Sequence, residues 1–273
     1  MVTESRKKGG QEKEARTAAR QKIQKKESGR LIKDSRTDPK ARDYLKRRSD
    51  IIPPLKTFLV VCEGEKTEPG YFESLRATWK IPVTVEILKG RGNTLSVVQE
   101  AVNRRRESGA SAYDEVWAVF DRDDFSPDRI RAAFDLAERA AVRIAFSNEA
   151  FELWYILHYE ARSTGLNRRE YQRRLTGYLK KKYEKNSPGM FERLRGLLPG
   201  AVRNAMRLAD DRPMYDRALV GANPYTGVHL LIKALLPDKK FMRRYANMTN
   251  MTSDEYKEVA AAFQGCALVE KSY

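Results

Sequence analysis

Acidic side chains in this sequence collect where short apolar runs end. Glu63 and Glu65 follow the run TFLVVC directly, and Asp121, Asp123 and Asp124 follow EVWAVF. Asn148 closes VRIAFSN, Glu149 comes next, and Glu152 lies one helical turn on. Carboxylates brought within a few ångströms of one another cannot all stay ionised without a compensating cation. Mg²⁺ or Mn²⁺ supplies that cation, because both take oxygen ligands and keep positions open for water and a phosphate oxygen. The alternation Asp121-Arg122-Asp123 suits an irregular loop in which two carboxylates converge and Arg122 points elsewhere, to a phosphate or simply to balance charge. Gly64 lets the chain turn after the run and brings backbone N–H groups near an anion. A D-x-D alone is common, so the specificity lies in the joint placement. The competing reading is a solvated acidic loop that caps helices.

The elements that must position these groups alternate. TFLVVC is apolar and β-branched, as a strand buried on both faces requires. The segment EGEKTE follows, and Pro69 is placed to open a helix, PGYFESLRATW. VTVEIL reads as a second strand. The loop KGRGN and a helix LSVVQEAVNRRRES follow it, with Asn93 or Thr94 as N-cap. EVWAVF is a third strand, and Ser126 and Pro127 start the helix that continues through DRIRAAFDLAERA. VRIAFSN is a fourth strand, followed by an apolar helix AFELWYILHYE. Strand and helix in regular alternation predict an α/β fold, an open parallel sheet flanked by helices. Ligands of such sheets sit at the carboxyl ends of the strands, where the acids fall.

Beyond Tyr159 the chain is basic and helical in rhythm. The expected organisation is a basic tail over residues 1–50, an α/β domain over 55–160 and a mostly helical C-terminal lobe over 161–273. The lobe includes NPYTGVHLLIKALLP and, after the turn signals of MTNMTSDEY, one more helix. The first 50 residues carry 17 Lys and Arg against 8 Asp and Glu, a surplus of 9 within the net charge of +16. So few apolar residues cannot offset the entropy of ordering that segment. A surplus of this size suits a polyanionic partner such as nucleic acid, and equally a solvated tail. The two cysteines, Cys62 and Cys266, and two histidines exclude a disulfide framework and a zinc site of usual spacing. No apolar run reaches the ~18–20 residues that span a bilayer, so no membrane partner and a cytoplasmic location are expected.

Other fragments are weighed against bland accounts. Gly64-Glu65-Lys66-Thr67 is not a P-loop, since Leu59 stands where its earlier glycine belongs. The loop KGRGNT is a plain turn or a phosphate contact. Glu152, in an otherwise apolar helix, is a metal ligand, a hydrogen-bond acceptor behind one, or a first-turn acid in solvent. His158 and His229 read as structural, and Trp79, Trp117 and Trp154 as core. Tyr171, Tyr178 and Tyr183 interleave with basic residues as base-stacking tyrosines do, although amphipathic helices give the same pattern.

Two resemblances add to this reading. LVVCEGEKTE and VFDRDD, two strands apart, resemble the Toprim domain of primases, topoisomerases and overcoming-lysogenization-defect nucleases. CEGEKTEPGYF, YDEVWAVFDRDDF, SNEAFELWYILHY and NPYTG, from Phe58 to Leu236, resemble the RloB family of abortive-infection and antiphage-defence proteins, often encoded beside an AAA-type ATPase. The resemblance implies a Toprim fold, Mg²⁺ (or Mn²⁺) dependence and cleavage of DNA or RNA, tRNA among the candidates. It implies Glu63 as metal ligand or general acid/base, and Asp121 and Asp123 as catalytic metal ligands. Phe125 stands where a third acid belongs, with Asp124 beside it as a substitute ligand. Glu65 and Glu152 would support the ligands from behind, and Lys66 and Arg122 would contact phosphate. Nucleic acid and an AAA-type ATPase are the implied partners, and a homo-oligomer is compatible with both. A non-catalytic, Toprim-shaped regulatory partner of the ATPase is the alternative function. A receiver domain fits less well, because its acid pair follows the first strand rather than the third.

Overall fold

The computed structural model describes residues 56–79, 84–89, 94–109, 112–123, 125–185, 187–210, 212–236 and 257, without the side chains of Trp79 and 84–89. The basic tail, Asp124, most of the KGRGN loop and the helix expected near the end lie outside the described residues.

Four parallel strands form the sheet: β1 (Thr57–Cys62), β2 (Thr84–Lys89), β3 (Glu115–Asp121) and β4 (Arg143–Asn148). Helices α1 (Thr67–Trp79), α2 (Thr94–Ser108) and α3 (Pro127–Arg139) make the crossovers. After β4 come α4 (Glu152–Leu157), α5 (Arg168–Leu179), α6 (Met190–Leu194), α7 (Leu198–Ala209), β5 (Tyr225–Thr226) and α8 (Val228–Leu235), with single 3₁₀ turns at Arg195–Leu197 and Arg217–Val220. The order across the sheet is β2-β1-β3-β4-β5, and β5 runs antiparallel to β4. The fold is α/β, with an open and mostly parallel sheet.

The chain leaves β1 toward one edge, through α1 to β2, then crosses back over β1 to β3. Adjacent strands β1 and β3 therefore send their loops in opposite directions, and a crevice opens between their carboxyl ends. Both faces of the sheet are covered, which explains the unbroken apolar runs. Phe58, Val60 and Cys62 of β1 face a core shared with Trp117 and Val119 of β3 and with α1, α4, α5, α6, α7 and α8. Leu59 and Val61 face the opposite core with Phe120, Phe146, α2 and α3. The helices after Tyr159 thus share a core with the sheet. Trp117 and Trp154 are fully buried.

Three elements differ from expectation. Helix α1 begins at Thr67, two residues before Pro69, because the Gly70 N–H donates to Lys66 O at 2.8 Å and closes a turn there. First-turn N–H groups have no intrahelical acceptor, so a proline at the third position costs nothing. Helix α4 is shorter than the apolar run suggests. Its ends tighten into i→i+3 bonds, Trp154 N–H to Phe151 O at 2.9 Å and Tyr159 N–H to Ile156 O at 2.9 Å. Strand β5 was read as part of a helical segment. It is two residues long, tied by the Ser147 Oγ–Thr226 Oγ1 hydrogen bond (3.0 Å) and by Gly227 N–H to Phe146 O (2.8 Å).

Phe146 is the hub of the second core, with ring centroids 5.6 Å from Phe120, 5.5 Å from Phe134 and 6.2 Å from Tyr225. Phe146→Ala is expected to lower unfolding free energy by about 3–5 kcal/mol, read by urea denaturation; a loss below about 1 kcal/mol would show that this cluster does not hold the sheet.

Candidate metal centre

Parallel pairing of β1 with β3 matches Cys62 to Val119, so the next residues of both strands, Glu63 and Phe120–Asp121, leave the sheet side by side. The Glu63 N–H still donates to Val119 O (2.9 Å), and the Asp121 N–H donates to Glu63 Oε2 (3.1 Å). Asp121 Oδ2 accepts from the Phe151 N–H (3.0 Å), which ties β3 to the segment after β4. The other oxygen of each carboxylate, Glu63 Oε1 and Asp121 Oδ1, is buried with no hydrogen-bond partner among the described residues.

These groups line a cavity of about 330 Å³ at the crevice between β1 and β3. Six carboxylates border it: Glu63, Glu65, Glu68, Asp121, Asp123 and Glu152. Only two cations do, Lys66 and Lys185. Burial drives the electrostatics. It lifts the Glu63 carboxyl to about 7, with Glu68 adding to the rise and the Asp121 N–H and Arg168 opposing it. Burial, then Glu68 and Glu152, hold Asp121 well above the usual carboxylate range. Glu68 is raised by burial and by Glu152, against Lys185 and Arg168.

Glu68 is the acid that sequence reasoning missed. It is 7% exposed and sits in the first turn of α1, where an acid is ordinarily credited to the helix dipole. Gly64 makes room for it, since a Cβ there would lie 2.1 Å from Glu68 Oε2. That space, rather than a positive φ, is the glycine's use. Glu152 is 1% exposed and accepts from the Tyr183 hydroxyl at 3.3 Å, so the solvated first-turn alternative is overturned. Glu65 and Lys66 are exposed at the mouth. Arg122 is half-buried, its N–H donates to Ser147 O (2.9 Å), and it does not line the cavity. Asn148 turns its amide to Val220 O and Ala222 O, anchoring the 3₁₀ turn there.

Asp123 adopts left-handed backbone (φ 43°), which aspartate tolerates in turns, and its carboxylate pairs with Arg168 at the start of α5. Among the described residues no three acid, histidine or cysteine groups converge on one point as a finished ligand set. The donors bordering the cavity are nonetheless all oxygen, and Glu63 Oε1 and Asp121 Oδ1 lack a partner, which fits a hard divalent cation. Arg168, Lys185 and Tyr183 come from elements far along the chain and carry no local signal.

His158 and His229 are buried and held neutral, each lowered to about 4 by burial, with Nδ1 against Trp154 O (2.8 Å) and Thr226 O (3.0 Å). Tyr171 and Tyr183 are in the core, and Tyr178 stacks on Tyr159 with its hydroxyl donating to Glu160 Oε2 (2.7 Å).

Sheet order and site together define the class: an α/β protein with a carboxylate cavity at the switch point of an open, mostly parallel sheet. The family model described as RloB-like protein matches residues 58–235, about two-thirds of the chain, and the chain belongs to that family. No curated protein gives a significant match.

Because the Glu63 carboxyl rises from its ordinary 4.5 to about 7, its protonated form favours the fold. That contribution is complete below the ordinary value and is lost as pH rises through about 7. Without divalent cations, the melting temperature is expected to fall across this window, and Glu63→Gln is expected to remove part of the fall. Identical pH profiles for the two proteins would contradict it.

Proposed function

We propose that this chain is a Toprim-type, Mg²⁺-dependent nuclease that hydrolyses phosphodiester bonds in DNA or RNA, tRNA included, as the effector of an antiphage or abortive-infection system. One observation carries the reading: Glu63 and Asp121 each bury an oxygen without a partner in an acidic cavity at the β1/β3 switch point. A glutamate after the first strand and a D-x-D after the third are also what the Toprim resemblance requires.

Asp121, with Asp123 once released from Arg168, would hold the metal, with Glu63 beside them. The bound ion supplies an activated water and charge neutralisation at the scissile phosphate. Glu63 would either ligate the ion or take the proton of the attacking water. The Phe151 N–H orients Asp121, and the Tyr183 hydroxyl orients Glu152. Lys66 and Lys185 stand at the cavity to meet a phosphate.

A second reading, a non-catalytic partner of an AAA-type ATPase, is favoured by the Asp123–Arg168 ion pair, which occupies one of the expected ligands. Among the described residues no helix is long and apolar enough to cross a membrane. The test is cleavage of labelled DNA and tRNA with Mg²⁺ and with chelator. Wild type is expected to cleave only with Mg²⁺, and Glu63→Gln and Asp121→Asn to lower the rate about 100-fold or more. Undiminished cleavage by both variants would overturn the site assignment. No cleavage by wild type would turn the assignment to the second reading.

A further inference from the structure

The segment joining α5 to α6 is bordered by three cavities, and only the carboxylate cavity belongs to the site above. A second, of about 280 Å³, is lined by Lys181, Lys182, Lys185 and Arg193, with Glu184 as its sole acid. A third, of about 320 Å³, lies between α1 and the same segment, with Gly70, Ser74, Tyr155, Tyr183 and Met190 among its walls. They connect. Lys185 borders the first two, Lys66 the first and third, and Pro188 the second and third.

The four cations are exposed. Among the described residues, none forms a salt bridge. The segment that presents them is anchored. The Tyr183 N–H donates to Thr176 Oγ1 (3.0 Å), its hydroxyl reaches Glu152, and Ser187 donates through both N–H (3.0 Å) and hydroxyl (2.7 Å) to Glu184 O. Four exposed cations, of which Lys185 also offsets Glu68, attract a polyanion, and the adjoining six-carboxylate cavity repels one, so a strand would be held along the cleft and enter the cavity only where a cation bridges it. Asp121 is 9% exposed, and a linkage that reaches it must descend into a recess. An unpaired backbone does this by local rotation, whereas a phosphate on a rigid duplex stays outside the lip. The third cavity has room for a nucleobase, with Tyr155, Tyr183 and Met190 to pack against it and Lys66, Glu65 and Glu73 as its charged groups.

We propose that the chain binds a single strand of nucleic acid, with phosphates on the Lys181–Lys182–Lys185–Arg193 cleft and an unpaired base in the cavity that α1 forms with Tyr183 and residues 187–190. Only the position of the scissile linkage rests on the nuclease reading; the strand path stands on the two outer cavities.

The experiment is fluorescence anisotropy on the full chain in chelator, so that nothing is cut. A labelled DNA strand, an RNA strand of the same sequence and a blunt duplex are each titrated over a series of salt concentrations. Lys181→Gln/Lys182→Gln/Lys185→Gln is expected to weaken single-strand binding about tenfold or more. It should also reduce the salt slope by about 2, since each single-strand phosphate contact contributes about 0.7. Duplex binding through the basic tail should change little. Gly70→Leu adds bulk at the wall of the third cavity, where a Cβ would meet no atom within 4 Å. It is expected to weaken single-strand binding several-fold with the salt slope unchanged. Unchanged single-strand affinity in both variants, or equal losses on duplex, would overturn the path, and the stronger of the DNA and RNA strands identifies the source. These shifts without Mg²⁺-dependent cleavage would leave the path standing and remove the nuclease reading; cleavage without the shifts would remove the path alone.

Discussion

Parallel pairing of β1 with β3 is the constraint from which the rest follows. The two strands are 58 residues apart at their starts, Thr57 and Glu115, yet they are neighbours because the chain crosses back over β1 after β2. Their register brings Glu63 and Asp121 out of the sheet together, and the Asp121 N–H then fixes one oxygen of Glu63. A sheet covered on both faces leaves little water at that edge. Two adjacent carboxylates in such a place are raised by burial first and by their acidic neighbours second. The site is electrostatically unfinished by construction. Protons complete it at low pH, and on the proposed reading a divalent cation would do so above neutrality.

The second half of the chain completes the surroundings of this edge. Helices α5 to α8 share the core of the sheet, and three polar groups reach the acids from there: Arg168, Tyr183 and Lys185. Arg168 neutralises Asp123 and lowers Glu63 and Glu68, so it does in part what a metal would do. On the proposed reading, a metal would have to displace that guanidinium from Asp123. The same segment faces solvent with Lys181, Lys182 and Lys185, and so joins an acidic interior to a basic rim.

Much of this was legible in the sequence where burial leaves a local mark. Strands β1, β3 and β4 are buried on both faces and appear as continuous apolar runs, and the acids that follow them mark their carboxyl ends. Glu63, Asp121 and Asp123 border one cavity, as their strand-end placement implies. The rest was hidden for identifiable reasons. Glu68 is at an ordinary position for a helix-dipole acid, and only tertiary packing turns it into the cavity. Strand β5 is too short for any period, and its ties to β4 are the tertiary hydrogen bonds Ser147 Oγ–Thr226 Oγ1 and Gly227 N–H to Phe146 O. Arg168 meets Asp123 across 45 residues, a separation that no local pattern reports. Glu152 was ambiguous until Tyr183, 31 residues on, was found to be its partner.

The central claim is that this crowded carboxylate edge is completed by a divalent cation that displaces protons. Calorimetric titration of the full chain with Mn²⁺ near pH 6.5, in two buffers of different ionisation enthalpy, tests it most directly, because the difference in apparent heat counts the protons released. The account predicts saturable binding that releases protons, with fewer released by Glu63→Gln and binding strongly weakened in Asp121→Asn. Absence of binding, or binding without proton release and indifferent to both substitutions, would contradict it.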